Sequence, residues 1–186
     1  MSTVTQFSLA QYELMVESGA FDGKHRKRVE FIRGEIREMS PIGTRHAAAV
    51  DLLNRLSTDY LPSEKATIRI QGTLIVPTLE SAPEPDVMWL VPKEYFECHP
   101  QPEDVLLLIE VADTSVSYDI GEKAKLYADA GIKDYWVVNV VDNCIDVFRE
   151  PSASGYGQRH TCRANDEIQS LAFPEISIKP SALFKK

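Results

Sequence analysis

The stretch Val105-Leu-Leu-Leu-Ile-Glu-Val-Ala112 constrains this chain more than any other. Seven of its eight residues are apolar and nothing alternates, so it reads as a central strand covered on both faces. A strand of that kind needs other layers packed against it, which points to an α/β or α+β architecture built on a mixed sheet. Glu110 interrupts the run. A carboxylate at that place loses its water at a cost unless donors or a cation hold it. An Arg or Lys across the sheet would serve, and so would a metal ion.

The rest of the chain supplies the layers. Ser8 predicts an N-cap for a helix over Leu9 to Glu17 that Gly19 closes. An Asp22-Gly23 turn and the basic run Lys24 to Arg28 follow. Val29 to Arg33 and Ile36 to Met39 flank Gly34-Glu35 as a hairpin with Glu30, Ile32 and Gly34 on one face. Thr44 can cap a helix from Arg45 to Tyr60, which sets Ala49, Leu52, Leu53 and Leu56 at helical spacing. Ala66 to Pro77 reads as a strand, and the Pro-bracketed loop Ser81 to Pro85 delivers Asp86 onto a second, Val87 to Val91. Beyond Ala112 come a helix from about Ser117 to Ala130, ended by Gly131, and strands Asp134 to Val140 and Cys144 to Arg149 around an Asp142-Asn143 turn. Shorter strands are expected near Tyr156 to Cys162 and between Ile168 and Ile178. With no repeat and no long linker, residues 1–186 read as a single domain.

Composition narrows the function classes. The 186 residues carry 20 Lys+Arg and 28 Asp+Glu, a formal charge of −8. A chain of this length hides roughly 70% of its unfolded surface and needs no disulfides. Three cysteines with no C-x-x-C pair fit the reducing cytoplasm. No apolar run approaches a membrane span and no signal peptide opens the chain, so neither a membrane nor export is expected. There is no G-x-S-x-G elbow, P-loop, G-x-G-x-x-G fingerprint or H-E-x-x-H motif, and the four histidines are scattered, so no organic cofactor and no zinc site is expected. Acidity is concentrated in the second half: residues 1–79 hold ten Lys/Arg and nine Asp/Glu, residues 80–186 ten and nineteen. Such carboxylates form either a solvated surface or a cation site that attracts phosphate once metal is bound.

Position favours chemistry at three residues. Asp86 opens a strand directly after Pro85, although an Asp after Pro is commonly a turn or cap residue. On a helical wheel with Asp119 at zero, Lys123 falls near 40°, within the stripe of Leu126, Ala130, Tyr127 and Ile120, while Glu122, Lys125 and Asp129 take the opposite face. An inward lysine needs an anion, either Asp119 one turn back or Glu110 on the preceding strand. Two acids 24 residues apart and a lysine 13 residues further on form a set with a recognisable chemistry. Two carboxylates hold a hard divalent cation, Mg²⁺ or Mn²⁺, and an ammonium positions the attacking water or neutralises a phosphorane-like transition state. That chemistry is phosphodiester hydrolysis.

The residues Val29-Glu-Phe-Ile-Arg-Gly-Glu-Ile, Met39-Ser-Pro41, His46, Gln71, Glu84-Pro-Asp-Val87, Ile109-Glu-Val111, Thr114-Ser115, Tyr118-Asp-Ile-Gly-Glu-Lys-Ala-Lys-Leu-Tyr-Ala128 and Gly131-Ile-Lys-Asp-Tyr-Trp136 resemble the Uma family of restriction endonucleases, within the PD-(D/E)XK nuclease superfamily. The resemblance spans about residues 8 to 184. It implies a restriction-endonuclease-like fold, a central mixed sheet flanked by helices, with Asp86, Glu110 and the Val111 carbonyl as metal ligands. Where the superfamily motif has its lysine, two residues after Glu110, this chain has Ala112. The Uma resemblance implies a lysine moved to the following helix at Lys123, in agreement with the wheel. Glu30 and Gln71 fall on family-marked positions and are secondary catalytic candidates. His46 reads as an interior or capping histidine, and Tyr127 and Trp136 as core aromatics.

DNA is the expected partner, with Arg26, Lys27, Arg28, Arg33, Arg37 and Arg45 as candidates for phosphate neutralisation, unless that run is only an exposed rim. A homodimer would suit the cutting of two strands, and the apolar hairpin Tyr135 to Phe148 is its candidate interface. The reading that emerges is a metal-dependent endodeoxyribonuclease. The rival is a catalytically inactive DNA-binding or dimerisation module on the same fold.

Overall fold

The computed structural model describes residues 5–22 and 28–184. Its centre is a six-stranded mixed sheet in the order β3 (Thr67–Ile70), β4 (Val87–Leu90), β5 (Val105–Ala112), β6 (Asp134–Asn139), β7 (Cys144–Ser152) and β8 (Gly155–Cys162). Only β5 and β6 run parallel among these neighbours. A parallel pair needs a crossover, and here a helical segment provides it: α3 (Val116–Tyr118), a π-helical turn (Asp119–Lys123) and α4 (Ala124–Asp129).

The central strand is sandwiched as its sequence predicts. Leu107, Ile109 and Val111 face one apolar cluster with Ala49, Val50 and Leu53 of the helix α2 (Thr44–Tyr60). Leu108 and Ala112 face the other cluster, with Ala124, Leu126 and Tyr127 of the crossover. Residues on a strand alternate in facing, so Glu110 points to the crossover side with Leu108 and Ala112.

Outside the sheet, α1 (Leu9–Glu17) begins in a capping box between Ser8 and Gln11. Its Tyr12 stacks on Phe31 with ring centroids 4.6 Å apart. Phe31 belongs to the hairpin β1 (Val29–Ile32) and β2 (Glu35–Glu38), and its bridge to Ala82 fastens the hairpin beside the loop that leads into Asp86. The tail closes with the short pair β9 (Ile168–Gln169) and β10 (Ser177–Ile178). No helix of the described residues is long and apolar enough to cross a membrane.

Three expectations are corrected. Thr44 is the first helical residue and not the cap; Gly43 holds the cap position without a side-chain bond. The strand predicted over Ala66 to Pro77 stops at Ile70, because Gln71 adopts a left-handed φ of 49° that ends pairing. The helix predicted from Ser117 to Ala130 contains the π turn, a wider coil that holds Asp119 and Lys123 both inward. Within the hairpin Tyr135 to Phe148, residues 135–140 and 144–148 are buried in this chain's own sheet, and its turn, residues 141–143, is exposed.

Candidate active site

Register brings the two acids together. Val87 pairs with Ile109 across the antiparallel β4 and β5, so the next pair outward sets Asp86 opposite Glu110. The crossover then returns Lys123 over the same face: its Nζ lies 3.0 Å from Glu110 Oε1 and 2.7 Å from Glu30 Oε1. Of the two anions open to it, the lysine therefore takes Glu110, and adds Glu30 from the hairpin. Glu30, Asp86, Glu110, Asp119 and Lys123 are between 3% and 5% exposed. With Val111 they line one cleft of about 380 Å³.

Burial and charge set the protonation of this group. Desolvation pushes Glu110 well above the usual carboxylate range, reinforced by Asp86, Asp119 and Glu30 and opposed by Lys123. Burial works against the Lys123 charge, but Glu110, Glu30 and Asp119 outweigh it and raise its pKa. The outcome is a buried ammonium held by carboxylates, and removal of any member leaves the others poorly compensated. Tyr127, at the next turn of the crossover, donates its hydroxyl to Glu110 Oε1 at 2.7 Å. Asp119 is driven up to about 6 by burial, against the pull of Lys123 and a hydrogen bond from Ser115.

Asp86 is held differently. Its Oδ1 meets His46 Nε2 at 2.9 Å and Gln71 Nε2 at 3.3 Å, and its Oδ2 accepts the Val111 N–H at 2.8 Å. Burial alone would raise its pKa, but His46, Val111 and Gln71 together hold it below the usual value. In return Asp86 raises the His46 pKa. The two neighbouring carboxylates are thus shifted in opposite directions, Asp86 down through its donors and Glu110 up through burial.

The fit to a hard cation rests on this donor set. Among the described residues no three His, Cys, Asp or Glu side chains form a ready metal-binding group. Two carboxylates and the Val111 carbonyl remain, all hard oxygens, and a small divalent ion that keeps several of its waters needs no more from the protein. Lys123 and Tyr127 both address Oε1 of Glu110, which leaves Oε2 for a cation. These residues fit Mg²⁺ or Mn²⁺.

The basic candidates divide. Arg28 and Arg37 line the cleft, Arg28 paired with Glu84 at 3.4 Å and Arg37 with Glu35 and Glu122 at 2.8 and 2.7 Å. Arg33 lies at the hairpin turn, bound to Asp129 at 2.6 Å, and Arg45 is exposed on the first turn of α2; neither lines the cleft. Arg26 and Lys27 lie outside the described residues. Sequence reasoning placed His46 and Tyr127 in structural roles, yet both touch the acids. The signal for Tyr127 was its place four residues after Lys123, on the same inward stripe. His46 is 40 residues from Asp86, and nothing local announces that contact.

The profile of the Uma2 family, described as "Putative restriction endonuclease", matches residues 10–181. The chain belongs to the Uma2 family. A crystal structure described as "a putative nuclease belonging to DUF820", from Anabaena variabilis ATCC 29413, superposes on this Uma2 chain with a TM-score of 0.69. The superposition covers 96% of this chain and 97% of that one at 12% identity, so it shows a shared fold. No curated protein matches the chain.

Proposed function

We propose that this Uma2 protein is a metal-dependent endonuclease that hydrolyses DNA phosphodiester bonds. The reading is carried by one observation: Asp86, Glu110 and Lys123 converge on the floor of a single cleft. Asp86, Glu110 and the Val111 carbonyl would hold Mg²⁺ or Mn²⁺. Such an ion supplies positive charge to a phosphate and acidifies water at neutral pH. His46, Gln71 and the Val111 amide keep Asp86 ionised and fixed in orientation. Tyr127 and Lys123 hold Glu110, and Glu30 keeps the ammonium from depending on Glu110 alone. From there Lys123 orients the attacking water or neutralises charge on the phosphate. Arg28 holds the flanking backbone, and Arg37, tied to Glu35 and Glu122, adds its charge to the cleft wall.

The test is cleavage of plasmid and single-stranded DNA in Mg²⁺ and in Mn²⁺ by wild type, Asp86→Ala and Lys123→Ala. The expected result is metal-dependent cleavage that falls at least about a hundredfold in both variants. No cleavage in any lane, with DNA still bound in chelator, would replace this reading by a DNA-binding module.

A further inference from the structure

We infer that the strand reaching the floor of this cleft is an unpaired one, so that the substrate class is single-stranded DNA or the unpaired part of a duplex. The inference rests on the nuclease reading and narrows it.

Depth is the first argument. The carboxylates and the lysine that would act on a phosphate are all at or below 5% exposure, so the phosphate must descend to them. The space above them is about 380 Å³, near the lower end of small-ligand pockets and enough for about one nucleotide.

The second argument is that the walls are tied together. On one side stand β2 and the connector that leads to α2; on the other stands the start of the crossover. Arg37 of β2 spans the gap: its Nη1 lies 2.7 Å from Glu122 Oε1 and donates to Tyr118 Oη at 3.2 Å, and its guanidinium sits 5.7 Å from the centre of the Tyr118 ring. Farther along the connector the walls approach again, where a Cβ placed on Gly43 would stand 3.1 Å from Asp113 Oδ2. A duplex is stiff over many turns and carries its second strand along, so lowering one phosphodiester between clasped walls while its neighbours stay outside would cost it a sharp kink. A single strand bends at each nucleotide and avoids that cost.

Charge agrees. Carboxylates lining the cleft are Glu30, Glu38, Asp86, Glu110, Asp113 and Asp119, against Arg28, Arg37 and Lys123. A bound divalent ion offsets part of this excess at one point, which suits engagement of a few phosphates and not the long basic track that duplex binding uses.

The test uses the whole protein and one DNA sequence in three forms: single strand, perfect duplex, and duplex with an unpaired central bubble. Cleavage is followed in Mn²⁺ and binding by fluorescence anisotropy in Ca²⁺. The single strand and the bubble are expected to be cut at least about tenfold faster than the duplex, with cuts in the third substrate confined to the bubble. Glu122→Gln, which loosens the Arg37 clasp, is expected to shrink that ratio. Cutting of the perfect duplex interior at the single-strand rate overturns the inference and leaves the nuclease reading intact. If no form is cut, tighter binding of the single strand still supports the inference while the nuclease reading falls, and equal binding of all three overturns both.

Discussion

The Tyr127 hydroxyl donates to Glu110 Oε1 at 2.7 Å, onto the same oxygen that the Lys123 ammonium reaches. Two donors from successive turns of the crossover thus fix one carboxylate oxygen of a central strand. Because Tyr127 is fully buried, Tyr127→Phe keeps the ring in the core and deletes one charge-assisted bond. The expected cost is about 2 kcal/mol of unfolding free energy, read from urea denaturation. An unchanged midpoint would mean that the hydroxyl does not hold Glu110.

Lys123 makes the larger contribution. With it removed, Glu30 and Glu110 face each other at 5% exposure or less with no cation between them. Lys123→Met is expected to destabilise the fold by about 3–5 kcal/mol at neutral pH. Adding Glu30→Gln to that variant removes one of the two stranded charges, so the double substitution should cost less than the sum of the singles. A strictly additive pair would place Glu30 and Lys123 in separate environments, contrary to their 2.7 Å contact.

These contacts also show how far the sequence carries. Val105–Ala112 was legible because an unbroken apolar run has few other uses, and Glu110 stood out against it. Lys123 was legible because one cation on an apolar stripe demands a partner. The π turn beneath it was not: a single wide turn changes the path of five residues without altering their composition, and the wheel sets Lys123 inward from the apolar stripe of Leu126, Ala130, Tyr127 and Ile120 alone. Gln71 was flagged, but its left-handed backbone was not, since an isolated positive φ at a non-glycine residue leaves no pattern. The contact of His46 with Asp86 leaves no trace in the sequence because the two lie across the fold from each other, and periodicity reports which way a side chain points, not what it meets.

Asp119 predicts a pH dependence of defined sign. Its carboxyl rises from 3.8 to about 6 on folding, chiefly through burial. Between those values the folded state binds the proton more tightly than the unfolded state, so this group contributes stability at low pH that is lost as pH climbs to about 6. Asp119→Asn removes the titration and keeps an acceptor for the Ser115 hydroxyl. Relative to that variant, wild type should lose up to about 3 kcal/mol of unfolding free energy between pH 4 and pH 7 and remain level above. Parallel curves over that range would show that Asp119 does not titrate there.

Metal binding should be readable without any substrate. A cation that binds the folded chain through Asp86, Glu110 and Val111 raises unfolding free energy by mass action, about 2.7 kcal/mol at a hundredfold excess over its dissociation constant. Thermal denaturation with increasing Mn²⁺ is therefore expected to show a rising midpoint, reversed by chelator. Asp86→Ala should abolish the rise, since Asp86 is the acid held ionised and ready. Gln71→Ala should only weaken it: that change removes a 3.3 Å donor to Oδ1 while His46 and the Val111 amide keep the carboxylate in place. If Asp86→Ala responds to Mn²⁺ as wild type does, the cation sits elsewhere on the chain and the carboxylate pair is structural.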